Sequence, residues 1–205
     1  VESNKDKLTV KFPHPQTYGF QCIKEGDTIA FVDPETLMEV GRTKVLKVTL
    51  RNKYYYDIIT ATYDAPLGKG GVIENLSANP DFEFSGNTIN RVVARGVLAT
   101  TRGKIRIENN KFLNTGKGGI YVSSDALTWF ESGAVKSMMI RGNAFMNCEE
   151  SAILIAPENR RFAGFVHENI YIENNLCVLN GMPALNVNKK KNIIMKNNVY
   201  KGKPS

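Results

Sequence analysis

The stretch Ile105-Arg-Ile107-Glu-Asn-Asn110-Lys-Phe112 decides the fold because it recurs. Its pattern is apolar, any, apolar, any two, Asn, any, apolar. The same pattern fits Phe82, Phe84, Asn87 and Ile89, then Met138, Ile140, Asn143 and Phe145. It returns at Ile170, Ile172, Asn175 and Cys177, and again at Ile193, Met195, Asn198 and Tyr200. The Asn-to-Asn intervals are 23, 33, 32 and 23 residues. Ten and twelve residues after each of the first four Asn stand further apolar pairs: Val97 and Ala99, Ile120 and Val122, Ile153 and Ile155, Leu185 and Val187.

One unit is therefore a short strand, an Asn-bearing turn, a second strand, a turn marked by Gly or Pro in most units, and a third strand. Apolar residues at period two place one face of each strand inward. No stretch carries a sustained 3.6-residue pattern with caps, so helices should be scarce. A unit of this kind cannot bury its apolar side alone, but stacked copies make a continuous core. Asn accepts left-handed backbone geometry, and stacked Asn side chains can bond from coil to coil. The expectation is an all-β chain whose larger part is a parallel β-helix of about five coils, right-handed by the crossover rule. The Leu-x-x-Leu-x-Leu spacing of leucine-rich repeats is absent.

Two intervals are about ten residues longer than the others, and the extra residues follow Val122 (Ser123 to Lys136) and Ile155 (Ala156 to Glu168). Both leave the same corner of consecutive coils, so they should rise side by side as a wall. Such insertions commonly build the binding face of a solenoid. They hold Asp125, Trp129, Glu131, Glu158, Arg160, Arg161 and His167, and Trp129 is the only Trp in the chain.

The first sixty-odd residues read differently. Leu8–Phe12, Thr28–Val32, Val45–Val48 and Ile58–Ala61 look like strands separated by turn residues such as Gly26-Asp27, Asp33-Pro34 and Gly41. The expected organisation is a small antiparallel, barrel-like domain over 1–66 and the β-helix over 67–205.

Composition narrows the function. The 205 residues carry 27 basic and 20 acidic side chains, a formal charge of +7. Six Lys (189, 190, 191, 196, 201 and 203) and no acid lie between Gly181 and Ser205, so the rest of the chain is nearly neutral. This reads as a solvated, aggregation-resistant terminus, not as a nucleic-acid face, which would spread its charge and interleave aromatics. No apolar run is long enough to span a membrane. Cys22, Cys148 and Cys177 form no CxxC pair, and with two distant His they give neither a disulfide scaffold nor a metal signature. No phosphate loop, dinucleotide fingerprint or Ser-His-Asp set is present, so no cofactor is expected. The chain begins at Val1 without Met, which we take as the mark of a processed or truncated product.

A walled β-helix suits a long polar ligand, often a glycan. Trp129 between Asp125 and Glu131 has the grammar of a sugar site: a ring for the apolar face of a pyranose, and carboxylates for its hydroxyls. Glycoside hydrolysis needs two carboxyls flanking the bond, and Asp125 and Glu131 qualify by residue type. The bland alternative is that both are loop acids satisfying local donors. Arg95 and Arg102 flank the strand at Val97 and are either sugar ligands or solvated cations. Glu149-Glu150 reads as a solvated turn. His167, beside Glu168, is a weak general-base candidate. His14 and Gln16, in His14-Pro-Gln16-Thr-Tyr18-Gly-Phe20, either line a rim or belong to a packed loop.

Several stretches together resemble a known family. They are Asn87-Thr-Ile-Asn-Arg91, Ala94-Arg-Gly-Val-Leu98, Arg102-Gly-Lys104, Ile107-Glu-Asn-Asn110-Lys-Phe112 and, above all, Asp125-x-x-x-Trp129-Phe-Glu-Ser-Gly133-Ala-Val135. With Gln16-Thr-Tyr-Gly-Phe20 and Gly26–Asp33 they look like glycoside hydrolase family 110 over about residues 8 to 150. The resemblance implies an inverting exo-α-1,3-galactosidase without a metal, on a right-handed β-helix bearing barrel elements. It implies Asp125, Glu131 and Trp129 in the pocket, with Arg95 and Gln16 as lesser contacts. It also implies a glycan substrate and a periplasmic or secreted setting. The family's catalytic carboxylates include an adjacent Asp-Asp pair, and this sequence has none. The expectation is that the pair precedes Val1 and that this is a C-terminal portion, with its open coil end available to a second copy or an upstream domain. The alternatives are a non-catalytic carbohydrate-binding or cell-surface β-helix, and a polysaccharide lyase, which the lack of a dense Asp cluster for calcium disfavours.

Overall fold

The computed structural model describes residues 2–4, 6–12, 14–15, 21–64, 70–131, 133–188 and 191–202. The chain divides into two compact units, Val1–Asn79 and Pro80–Ser205.

The first unit is a six-stranded sheet of β1 (Glu2–Asn4), β2 (Lys7–Lys11), β3 (Thr28–Val32), β4 (Glu39–Asn52), β5 (Tyr55–Thr60) and β6 (Val72–Asn75). Its order is β1-β2-β5-β4-β3-β6, and every pairing is antiparallel. The alternating apolar residues of β2 and β5 bury Leu8, Val10, Tyr56 and Ile58 against Ile29, Phe31 and Val45. β4 is longer than the run at Val45–Val48 foretold. It breaks register with β3 near Val32 and with β5 near Lys47 and Asn52, and such irregularities let one long strand bend across a sheet. β6 pairs with β3 and so belongs to this unit. A single 3-10 turn follows at Leu76–Ala78, capped by the Asn75 side chain.

The second unit is a parallel β-helix. Coil one holds β7 (Phe82–Ser85), β8 (Thr88–Asn90) and β9 (Val97–Ala99). Coil two holds β10 (Lys104–Glu108), β11 (Lys111–Leu113) and β12 (Ile120–Val122). Coil three holds β13 (Ser137–Arg141), β14 (Ala144–Met146) and β15 (Ile153–Ile155). Coil four holds β16 (Glu168–Glu173), β17 (Leu176–Val178) and β18 (Leu185–Val187), and β19 (Lys191–Lys196) and β20 (Val199–Lys201) begin a fifth. The strands stack into three sheets, β7-β10-β13-β16-β19, β8-β11-β14-β17-β20 and β9-β12-β15-β18. The register is the one the repeat dictates: Ile105 lies beside Phe82 and Met138, and Ile170 beside Met138 and Ile193.

Inside, equivalent apolar residues form columns. Ile107, Ile140 and Ile172 are buried in one, and the Phe112 and Phe145 rings stack 5.0 Å apart in another. The template Asn forms a third. The Oδ1 of Asn110 accepts from the backbone N–H and the Nδ2 of Asn87, and the same pair of bonds links 110 to 143, 143 to 175 and 175 to 198. Each later Asn also donates from Nδ2 to a backbone carbonyl of the preceding coil, as Asn143 does to Ile107 at 2.9 Å. A buried amide is tolerated only when its hydrogen bonds are made, and these are. The residue before each ladder Asn is left-handed: Gly86, Asn109, Gly142, Asn174 and Asn197 all have φ between 53° and 70°. Only Gly and Asn take that conformation at little cost, which explains the Asn richness of the turns. A second, exposed ladder joins Asn90, Asn114, Asn147 and Asn180.

Candidate functional site

The two insertions zip together by backbone bonds. Ala156 and Glu158 N–H groups donate to Val122 and Ser124 carbonyls, and Glu168 N–H donates to Val135. At their base Val135 N–H donates to Nδ1 of buried His167 at 3.1 Å. His167 is thereby fixed as the Nε2–H tautomer. Burial, and then the nearby Lys136 charge, push its pKa down to about 4, so it is neutral.

Asp125 organises the first insertion. Its N–H reaches the Glu131 carbonyl at 2.7 Å and closes the loop. Its carboxylate accepts from the Leu127 N–H at 2.8 Å, from the N–H and hydroxyl of Thr128, and from the Trp129 N–H. Burial pushes this carboxyl up, but those donors outweigh it and hold it below the usual carboxylate range. With its backbone pinned this way, Trp129 stands 76% exposed. Phe130, 45% exposed, holds φ at 57°, a region that bulky residues avoid. Strain of this kind persists only where the surroundings enforce it, and it gathers at functional sites. Gly133, at φ 133°, closes the loop against coil one, where any Cβ would lie 2.5 Å from the Thr100 carbonyl.

Next to the insertions, the outer face of the third sheet carries Leu98, Tyr121, Leu154 and Asn186 in one row. A cavity of about 220 Å³ lies on it, lined by Arg95, Lys117, Gly118, Tyr121, Glu150 and Leu154. The Arg95 guanidinium sits 5.4 Å from the Tyr121 ring centre, within cation–π range. The Tyr121 hydroxyl donates to Glu158 Oε1 at 2.7 Å, which brings the second insertion to the sheet face. Burial and the Glu158 carboxylate raise the Tyr121 pKa, so it remains a donor. Typical ligand pockets begin at about 300 Å³, so this one suits a single ring-sized group. It offers an aromatic and aliphatic floor with two cations and a carboxylate at its rim.

A family model described as the right-handed β-helix region matches residues 70–203. The chain belongs to the right-handed β-helix family. A model of the GLAA-B β-barrel domain II matches residues 7–70. The β-helix chain is 41% identical over 176 residues to alpha-1,3-galactosidase A of Bacteroides thetaiotaomicron, covering 83% of this chain and 30% of that one. It is 33% identical over 197 residues to alpha-1,3-galactosidase A of Akkermansia muciniphila, covering 95% and 33%. It is 30% identical over 213 residues to alpha-1,3-galactosidase B of the same organism, covering 95% and 27%. The chain thus spans about a third of the length of these relatives.

In this β-helix the expected site residues fall into separate groups. Asp125, Trp129 and Glu131 share one loop, with Glu131 half-buried at its end. Arg95 is in the cavity, while Arg102 lies in the turn after β9, the corner from which the insertions leave in later coils. His14 is exposed in the first unit, and Gln16, Tyr18 and Phe20 lie outside the described residues. Sequence reading did not single out Tyr121 or Lys117; Glu150 is exposed in its turn, as read, and also lines the cavity. The signal was present in the repeat: Lys117 and Glu150 both stand seven residues after a ladder Asn, and Tyr121 and Leu154 both stand eleven after. Among the described residues no helix is long and apolar enough to cross a membrane.

Proposed function

We propose that this chain is the coil-forming part of a glycoside hydrolase that removes terminal α-1,3-linked galactose. In this reading the wall and the outer face of β12 and β15 bind the glycan. The observation that carries it is the Asp125-pinned turn that holds Trp129 and Phe130 out to solvent. An exposed aromatic pair, held rigid at a conformational cost, serves to stack on the apolar face of a sugar ring. Arg95, Lys117, Glu150 and Glu158 would supply donors and acceptors to its hydroxyls. The setting would be periplasmic or secreted.

Inverting hydrolysis requires an acid and a base about 6.5–9.5 Å apart with room for water between them. Asp125 spends its carboxylate on its own loop, so we assign it to positioning Trp129 and keep Glu131 as the carboxylate this chain offers to chemistry. The engagement of Asp125 also favours a second reading, a carbohydrate-binding β-helix without hydrolytic activity. The deciding experiment incubates the 205-residue chain with an α-1,3-linked galactosyl disaccharide and follows the anomeric protons by NMR. Release of β-galactose, abolished by Glu131→Gln, supports the hydrolase. Saturable binding without release is shared by a coil portion short of its second carboxyl and by the binding module, and release by a chain extended to the relatives' full length then separates the two. Neither binding nor release from a folded sample sinks both.

A further inference from the structure

Trp129 and Phe162 each stand nineteen residues after a ladder Asn, Asn110 and Asn143 respectively, so they hold the same template place on successive coils. The stacking that equates them continues past the ends of β12 and β15. The N–H groups of Ala156 and Glu158 donate to the Val122 and Ser124 carbonyls, both at 3.0 Å, so the second insertion leaves its coil in parallel register with the first. Backbones paired in this way run about 4.8 Å apart. The Tyr121 hydroxyl, bonded to Glu158 Oε1 at 2.7 Å, ties the start of the second insertion to the sheet face that carries the smaller cavity.

Each insertion then presents an aromatic ring from a turn pinned by a buried polar residue. In the first, the Asp125 carboxylate accepts from the Trp129 N–H. In the second, buried Asn159 donates from Nδ2 to the Arg161 carbonyl at 3.0 Å and closes the turn that delivers Phe162. Phe162 is 54% exposed, and its ring meets the Phe165 ring edge-on with centroids 5.4 Å apart. Phe165 is half-buried and leads into buried Val166 and His167, so the outer ring leans on an inner one that the wall holds. The exposed residues just before Phe162 are Glu158, Arg160 and Arg161. An apolar ring among hydrogen-bonding groups suits a pyranose, with its C–H face and its rim of hydroxyls. A protein-docking surface would instead be a broad apolar patch.

We infer that Trp129 and Phe162 are successive sugar platforms, so that a glycan lies across the coils with one ring on Trp129 and the next on Phe162. The inference rests on the reading of Trp129 as a sugar platform and adds the ligand's direction and minimum length. The ligand is an oligosaccharide of at least two rings, running along the solenoid axis from the first insertion to the second. Phe165 is a positioning residue that props Phe162. The gain in affinity from one ring to two belongs to Phe162.

The test titrates the 205-residue chain with methyl α-galactopyranoside and with the α-1,3-linked galactosyl disaccharide, each followed by Trp129 emission. The inference expects the disaccharide to bind about fivefold more tightly than the one-ring sugar. Phe162→Ala should erase that difference and leave the one-ring affinity within about twofold, and Phe162→Tyr, which keeps the ring, should restore it. Equal affinity of the two sugars for the parent chain, or an unchanged preference in Phe162→Ala, would overturn the inference and leave the Trp129 platform standing. Self-association of the chain that Phe162→Ala abolishes would assign the ring to a contact between copies and overturn it as well. No change in emission with either sugar would remove the Trp129 platform and the inference together.

Discussion

The Val135 N–H donates to Nδ1 of His167 at 3.1 Å, so one neutral imidazole fastens the two insertions at their base. Burial holds His167 near pKa 4 in the folded chain, against about 6.5 for an unfolded His. A depressed folded pKa means that the unfolded chain binds the extra proton first. Stability from this group is therefore complete above about pH 6.5 and is lost as pH falls toward 4. The size is about 3 kcal/mol by linkage. Urea denaturation of the β-helix between pH 7 and 4 should show the loss, and His167→Gln, which keeps an acceptor for Val135, should remove most of that slope.

Asn143 and Asn114 test the two ladders against each other. Asn143 is buried, and Asn143→Ala would orphan the two Asn110 donors and remove the amide bond to the Ile107 carbonyl, while Asn175 Oδ1 keeps the backbone N–H of residue 143. The expected loss is about 3 kcal/mol or more. Asn114→Ala removes exposed bonds only, with an expected change within about 0.5 kcal/mol if the left-handed turn is kept by Asn114→Gly instead. Equal losses from Asn143→Ala and Asn114→Gly in urea titrations would contradict the ladder account.

Asp125→Asn turns an acceptor-only side chain into one that meets the Thr128 and Trp129 N–H groups with half its capacity. The loop should loosen by about 1–2 kcal/mol of local stability while the coils stay folded. Hydrogen exchange at Leu127, Thr128 and Trp129 should quicken, with exchange in β10 and β13 unchanged. If the coil amides quicken equally, Asp125 serves the fold as a whole and not the loop.

Gly133→Ala places a methyl group 2.5 Å from the Thr100 carbonyl at a φ that disfavours any side chain. Backbone on both sides leaves nothing to yield, so the first insertion should detach from coil one. The expected reading is proteolytic nicking within residues 123–136 of the variant under conditions that leave the parent intact. Equal resistance would mean that the loop is held by Asp125 alone.

The coils were legible because stacking imposes one template on every turn: inward residues, left-handed turn positions and the ladder Asn all repeat. The antiparallel character of the first unit was legible from alternation and turn residues, but the length of β4 was not. Its extension and irregular pairing answer to neighbours far away in sequence. The candidate site was read by residue type, whereas the residues that line the cavity share template positions. Tyr121 and Glu150 carry no motif of their own, and only their places on successive coils bring them to one cavity. The inward turn of the Asp125 carboxylate was also hidden, because it is set by local donors over four residues and no periodicity encodes it.

Trp129 is the only Trp in the chain, so its fluorescence reads the proposed sugar platform alone. The central measurement is a titration of the 205-residue chain with an α-1,3-linked galactosyl disaccharide, following that emission. The account predicts a saturable change at millimolar sugar or below that Tyr121→Ala weakens severalfold. Constant emission throughout, from a chain whose coils are folded, would contradict the placement of the glycan on this wall.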